Sequence, residues 1–270
     1  MLKHALKSIW AATRLVLFFA WIFMQTPTLI LFAPFSRHYG VWQLRIFMRG
    51  VAALFGLRFR VHGEIDPHRP LMLVGNHISI FEIIAFPAMF KCGFFVKAEV
   101  KKWFPFSWYI ARFGNIFIDR RPTKAKTAIF QIQRLMRSAR DPFAIFPEGT
   151  TNNGSYVLPF KSAMFEFTAA AGNKAKIQPV ALIYRDKAGN KIPPQTMANE
   201  YAYIDNAKQT QPPFAERTLS IVDLLWGTLM RGGFLFEAHV LPAFDPTGLD
   251  RKEIAAALHK IVSEKHREII

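Results

Sequence analysis

A histidine with a carboxylate five residues further on is the first arrangement in the chain with chemical capacity. It lies in Leu71-Met-Leu-Val-Gly-Asn-His77-Ile-Ser-Ile-Phe-Glu82. The apolar run reads as a buried strand ending at Val74, and Gly75-Asn76 turn the chain. His77 then stands at the strand's C-terminal edge, where open α/β sheets place their ligands. Five residues of ideal helix rotate by about 500°, which leaves the two side chains apart. They meet only if His77 precedes the helix and the first turn folds Glu82 back. A carboxylate on one imidazole nitrogen fixes the tautomer and frees the other nitrogen to take a proton from a hydroxyl. Ser79-Ile-Phe-Glu82 is also a capping-box pattern, so Glu82 has a structural reading beside the catalytic one.

Two further segments carry anion chemistry. Phe146-Pro-Glu-Gly-Thr150-Thr151 follows another buried strand, and Pro147 with Gly149 force a tight turn. Thr150 offers a hydroxyl and an amide at the same sheet edge, and such a turn can present donors to a phosphate or an oxyanion. An ordinary strand-to-loop turn with Glu148 solvated reads equally well. Gly114-Asn-Ile-Phe-Ile-Asp-Arg120 is a strand ending in adjacent guanidinium groups, Arg120 and Arg121. They suit an anion, or an ion pair with Asp119. Lys97 and Lys161, each at the edge of an apolar run, are further candidates for an anion site.

The elements that must position these groups are short. Strand-like runs fall at Arg58–His62, Leu71–Val74, Phe94–Val96, Ile116–Ile118, Phe143–Phe146, Ile177–Ile183 and Phe234–Leu241. Helical patterns over Thr123–Arg140 and Lys161–Ala171 lie between them. Strands alternating with helices predict an α/β domain, a mixed sheet flanked by helices, over residues 56–270. Asp250-Arg-Lys-Glu253 is a capping box that opens a C-terminal helix. A helix from about Val41 to Leu57 carries Leu44, Phe47, Met48, Val51 and Leu54 on one stripe.

The N-terminal 1–55 read as a membrane-binding helical region. Lys3, Lys7 and Arg14 precede an apolar run over Leu15–Phe35 that Pro27 and Pro34 interrupt. A span needs about 20 apolar residues, so a kinked span and two short arms in one leaflet both fit. No small-x-small cleavage site follows Met24, and the segment reads as retained. Charge supports a membrane surface. Lys and Arg number 35 against 19 acids, a net charge of +16. Residues 1–60 hold eight basic side chains and no acidic one, and residues 61–140 add another +8, while 141–270 sum to zero. The basic residues are interleaved with Leu, Phe, Trp and Met and form no nucleic-acid motif, which argues against DNA or RNA. The single Cys92 excludes a disulfide scaffold.

Other chemistries fare less well. The remaining histidines lack metal-ligand spacing, so no metal is expected. No G-x-S-x-G is present for a serine hydrolase, and Cys92 reads as a small core residue. A non-catalytic membrane adaptor would be expected to have lost His77 or its acid.

Taken in order, the segments resemble the blocks of the glycerolipid acyltransferase family typified by lysophosphatidate acyltransferases. Asn76-His77…Glu82 resembles its N-H-x-x-x-x-D, with Glu for Asp. Gly114–Arg120 resembles G-x-I-F-I-x-R, and Phe146–Thr150 resembles F-P-E-G-T-R, with Thr151 where Arg is usual. Pro159-Phe-Lys161, Pro179-Val180 and the Lys97-x-Glu99 pair resemble further recurrent features. The resemblance covers roughly residues 56–185. It implies transfer of an acyl group from acyl-CoA or acyl-carrier protein to the hydroxyl of a lysophospholipid, with lysophosphatidate, giving phosphatidate, as the first expectation and no other cofactor. His77 would be the base and Glu82 its orienting acid. Arg120, Glu148, Gly149 and Thr150 would bind the acceptor's phosphate, with Arg121, Lys161 or Lys97 adding charge. It also implies work at a membrane, at its cytoplasmic face, on a lipid acceptor. Thr151 removes a bidentate phosphate partner. Bacterial lyso-ornithine lipid acyltransferases also resemble the Pro-Phe-Lys-Ser stretch, and their acceptor lacks that phosphate.

Overall fold

Leu71 and Leu73 point to one side of their strand, Met72 and Val74 to the other, and all four are buried. A strand that is apolar on both faces needs cover on both. The computed structural model describes residues 2–102, 104–118, 139–166, 175–202 and 219–270, with 130, 132, 134, 212, 215 and 216. In it this strand, β2 (Leu71–Gly75), is the middle of a seven-stranded sheet. The others are β1 (Arg58–His62), β3 (Gly93–Lys97), β4 (Ile116–Ile118), β5 (Phe143–Ile145), β6 (Lys176–Arg185) and β7 (Leu235–Val240). Their order is β1-β7-β6-β2-β5-β3-β4. Every neighbouring pair is parallel except β6 and β7. The expected mixed sheet is observed, with strand ends shifted by no more than two residues.

Helices cover both faces. They are α1 (Leu2–Phe32), α2 (Arg37–Phe55), α3 (Glu82–Phe90), α4 (Phe106–Arg112), α5 (Ile221–Arg231) and α6 (Arg251–Ile269). Leu71 and Leu73 pack with Phe86 and Phe90 of α3. Met72 and Val74 pack with Ile254, Leu258 and Val262 of α6. The Asp250–Glu253 capping box opens α6 as expected. An equivalent box, Ser220 with Asp223, opens α5, a helix the sequence reading passed over. Ser162–Phe165 form a short 3-10 turn. The rest of the Lys161–Ala171 pattern and most of the Thr123–Arg140 pattern lie outside the described residues.

At Pro27 the N-terminal region takes the single-helix alternative, not the two short arms. This residue lies inside one continuous α1, and the helix ends at Phe32, ahead of Pro34. Proline removes one backbone donor and kinks a free helix, but α2 grips this one on both sides of the site. Trp21 Nε1 donates to the Phe47 carbonyl at 3.0 Å. Gln43 Nε2 donates to Thr28 Oγ1 at 2.8 Å, and also to Gln25 Oε1. The stretch Leu6–Phe32 is long and apolar enough to cross a membrane by length and composition. Residues of α2 such as Leu44, Phe47, Val51 and Phe55 are buried in the same core cluster as Phe81, Phe234 and Phe236.

The β2–β6 ladder continues past Gly75↔Val180 through a side chain. Fully buried Asn76 donates from Nδ2 to the Leu182 carbonyl at 3.0 Å, and its Oδ1 accepts from the Leu182 amide at 2.7 Å. Asn76→Ala would leave both backbone groups unpaired in the core. We expect it to lower the unfolding free energy by roughly 2–4 kcal/mol, read from denaturant midpoints in mild detergent. An unchanged midpoint would contradict this role for Asn76.

Candidate active site

The chain leaves β2 at Gly75 and stays irregular until α3 starts at Glu82. His77 therefore precedes the helix, and the first turn brings the carboxylate back beneath it. His77 Nδ1 lies 2.8 Å from Glu82 Oε2. The same oxygen accepts from the Ser79 amide at 2.9 Å, so Glu82 both orients the histidine and satisfies a backbone donor ahead of the helix. The orienting and structural readings of Glu82 are thus compatible. Tyr184 of β6 donates its hydroxyl to Glu82 Oε1. Glu82 is fully buried, while the His77 side chain keeps 19% of its surface exposed. A carboxylate acceptor assigns the proton to Nδ1. Nε2 makes no hydrogen bond among the described residues. The imidazole stacks on Phe146, centroids 4.6 Å apart and planes 14° apart, which fixes the ring's plane.

A second carboxylate stands behind the first. Glu148 is 1% exposed. Its Oε1 accepts from the His77 amide at 2.7 Å. Its Oε2 accepts from Asn152 Nδ2 at 2.6 Å and from the Leu158 amide at 2.9 Å. The Asn152 amide in turn donates to the His77 carbonyl at 3.1 Å. Glu148 is therefore not a solvated turn residue. Both of its oxygens are occupied by the chain, and one of them holds the His77 backbone.

The other candidates divide by location. Gly149 adopts φ +69° at the exposed tip of the turn. The Lys161 side chain crosses it so closely that a Cβ on Gly149 would lie 2.7 Å from Nζ. The Lys161 amide donates to the Pro147 carbonyl at 2.9 Å, which ties both residues to one turn. Thr150 is partly exposed beside them, and Thr151 is buried at 7% exposure. Lys97 ends β3 opposite Ile118, and its side chain lies outside the described residues. Arg120 and Arg121 lie outside them entirely. Sequence reasoning missed Tyr184 and Asn152. Nothing local marks Tyr184, while Asn152-Asn153-Gly154 carries a turn signature that could have found Asn152.

Among the described residues, His62, Glu237 and His239 have metal-ligand spacing. They sit on β1 and β7, and Glu237 already pairs with Arg185 at 3.0 Å. Cys92 is fully buried, and burial pushes its thiol up, as suits a core residue.

Burial pushes the Glu148 carboxyl up to about 8, from an ordinary 4.5. Its donors from His77, Leu158 and Asn152 oppose the rise, and the charge of Glu82 adds to it. The folded chain then holds a proton that the unfolded chain has released. Stability tied to Glu148 is thus full below the unfolded value and is lost as pH rises through about 8. The difference in thermal midpoint between wild type and Glu148→Gln should shrink over that window. A difference independent of pH would contradict the shift.

Residues 58–183 match the family model described as acyltransferase. Over 153 residues the chain is 36% identical to the lyso-ornithine lipid O-acyltransferase of Brucella abortus, covering 53% of this chain and 57% of that one. Over 162 residues it is 33% identical to the 1-acyl-sn-glycerol-3-phosphate acyltransferase of Neisseria meningitidis, covering 58% and 60%. The chain thus spans somewhat over half the length of these curated relatives. The crystal structure of the 1-acyl-sn-glycerophosphate acyltransferase from Thermotoga maritima superposes with a TM-score of 0.62 at 18% identity. That alignment covers 96% of this chain and 97% of that one, so the fold is shared. His77, Glu82, Glu148 and Lys161 fall within the matched stretch, and Tyr184 lies one residue beyond it. Residues 58–183 thus match the acyltransferase family model, and the chain as a whole shares the fold of a solved acyltransferase.

Proposed function

We propose that the chain is a membrane-associated O-acyltransferase that moves a fatty acyl group from a thioester donor, acyl-CoA or acyl-carrier protein, to the free hydroxyl of a lysolipid. The observation that carries this reading is a half-enclosed imidazole whose Nδ1 is held by a buried carboxylate while Nε2 stays free. The acceptor hydroxyl gives its proton to Nε2 as its oxygen attacks the thioester carbonyl carbon. The tetrahedral adduct collapses, the C–S bond breaks, and the imidazolium returns the proton to the departing thiolate. Glu82 stabilises the imidazolium in between. The sequence needs no acyl-enzyme and no cofactor beyond the donor. The apolar α1 holds the site against the bilayer, and we place that site at the cytoplasmic face.

His77→Ala should cut transfer by at least about 10³-fold, within the range for losing a general base. Glu82→Asp should keep substantial activity and Glu82→Ala should not. Tyr184→Phe should lower kcat with little change in KM, because it loosens Glu82 without touching the acceptor. Near-normal turnover by His77→Ala in an acyl-CoA and lysolipid assay would sink the mechanism.

Two acceptors fit the relatives, lysophosphatidate and lyso-ornithine lipid. A phosphomonoester leaving water needs close cations, and Lys161 over Gly149 is one at the turn. Thr151, where the family's arginine would stand, is buried and carries no charge for the headgroup. If lysophosphatidate is the acceptor, Lys161→Ala should raise its apparent KM about tenfold, the scale of one charge-assisted hydrogen bond, while kcat changes less. If lyso-ornithine lipid is the acceptor, wild type should prefer it in direct competition, and Lys161→Ala should leave its KM within about twofold. A lysophosphatidate preference that survives Lys161→Ala with KM unchanged would remove Lys161 from the headgroup site.

A further inference from the structure

Four cations that the His77 site does not use gather together. Lys7 and Arg14 lie on α1, Arg58 opens β1, and Lys187 follows β6. Burial, and then the charges of Arg14, Arg58 and Lys7, hold the Lys187 ammonium below its ordinary range. No carboxylate among the described residues pairs with any of the four. Arg14 Nη1 is buried with no hydrogen-bond partner, and its guanidinium stands 5.2 Å over the Trp10 ring. Arg58 donates to the Lys187 carbonyl. The Lys187 side chain crosses Gly232, the left-handed residue that closes α5. The C-terminus of α5 carries about half a negative charge, which offsets only a small part of four positive ones.

The cluster sits where two apolar helix faces meet. Ser8 Oγ lies 3.9 Å from Met230 Sδ, which fixes the start of α1 beside the end of α5. On α1, Leu6, Ile9, Trp10, Val16 and Phe23 are more than half exposed. On α5, Val222 is 74% exposed and Trp226 is 40% exposed, one turn apart, while Leu224, Thr228 and Leu229 on the other face are buried. Tryptophan bodies beside unpaired cations at the edge of an apolar face match the layering of a bilayer's headgroup region.

We propose that α5 joins α1 in the surface that meets the membrane, and that Arg14, Arg58 and Lys187 seat the phosphate of an anionic phospholipid headgroup where the two helices meet. This deepens the membrane part of the function proposed above and concerns a lipid that is bound, not acylated.

Two readouts of binding test it on the full chain, and neither depends on acyl transfer. Cys92 is buried, so Val222→Cys can be labelled alone with a polarity-sensitive fluorophore. On vesicles of phosphatidylcholine and phosphatidylglycerol its emission should shift to the blue and be quenched by lipids carrying a chain nitroxide. The same label at exposed Lys260→Cys on α6 should do neither. An unshifted, unquenched label at 222 would overturn the role of α5. For the headgroup, native mass spectrometry from mixed micelles should show wild type retaining phosphatidylglycerol over phosphatidylcholine. The Arg14→Gln, Lys187→Gln double variant should lose about 30-fold in that preference, at the usual contribution of each cation near an anionic surface. An unchanged preference would overturn the headgroup site, and displacement of the lipid by excess inorganic phosphate would reassign it to the free ion.

Discussion

A carboxylate with no access to water is the constraint around which this molecule is arranged. Burying Glu82 unpaired would cost several kcal/mol. Three donors offset that cost, and they come from three places: the His77 ring after β2, the Ser79 amide before α3, and the Tyr184 hydroxyl on β6. To deliver them, the chain must leave β2 without entering a helix at once, start α3 at Glu82 itself, and pair β6 beside β2. The Asn76 side chain secures the last of these, joining the two strands beyond their backbone ladder. The His77–Glu82 geometry and the middle of the sheet are therefore one structure.

Glu148 divides the labour with Glu82. One acid sets the ring through Nδ1, and the other sets the backbone through the His77 amide. Two buried carboxylates behind one histidine repel each other, and this repulsion helps raise Glu148. The arrangement persists because each acid is met by its own set of donors, so that loss of either leaves those donors stranded. The Gly149–Thr150 turn beyond Glu148 is sparser, exposed at Gly149 with the Lys161 ammonium across it, while Thr151 is buried. Under the proposed function, a fixed histidine beside an open turn suits one reaction on lipid headgroups of varied chemistry.

Much of this was legible in the sequence because the signals are local. The strand before His77, the turn after it, and the condition under which Glu82 could reach back all follow from spacing within twelve residues. The capping box of α6 and the strand positions are local in the same way. The buried role of Glu148 was not legible, because its partners at 77 and 158 are near only once β2 and β5 pair. Tyr184 stands 102 positions from Glu82, and an apolar strand gives no reason to single out its tyrosine. The placement of β7 between β1, to which it is parallel, and β6, to which it is antiparallel, is likewise a property of pairing, not of pattern. Pro27 left a single helix and two short arms both open, because the contacts from α2 that flank it are distant in sequence.

The central claim is that Glu82 holds His77 as the tautomer with its proton on Nδ1, so that Nε2 is a free base. The ¹⁵N chemical shifts of the His77 ring, in detergent-solubilised protein labelled at histidine, report this state directly, and His77→Gln identifies the resonance. The account predicts a protonated Nδ1 and an unprotonated Nε2 in the neutral ring, with that order lost in Glu82→Ala. A neutral ring carrying its proton on Nε2 in the wild type would contradict it.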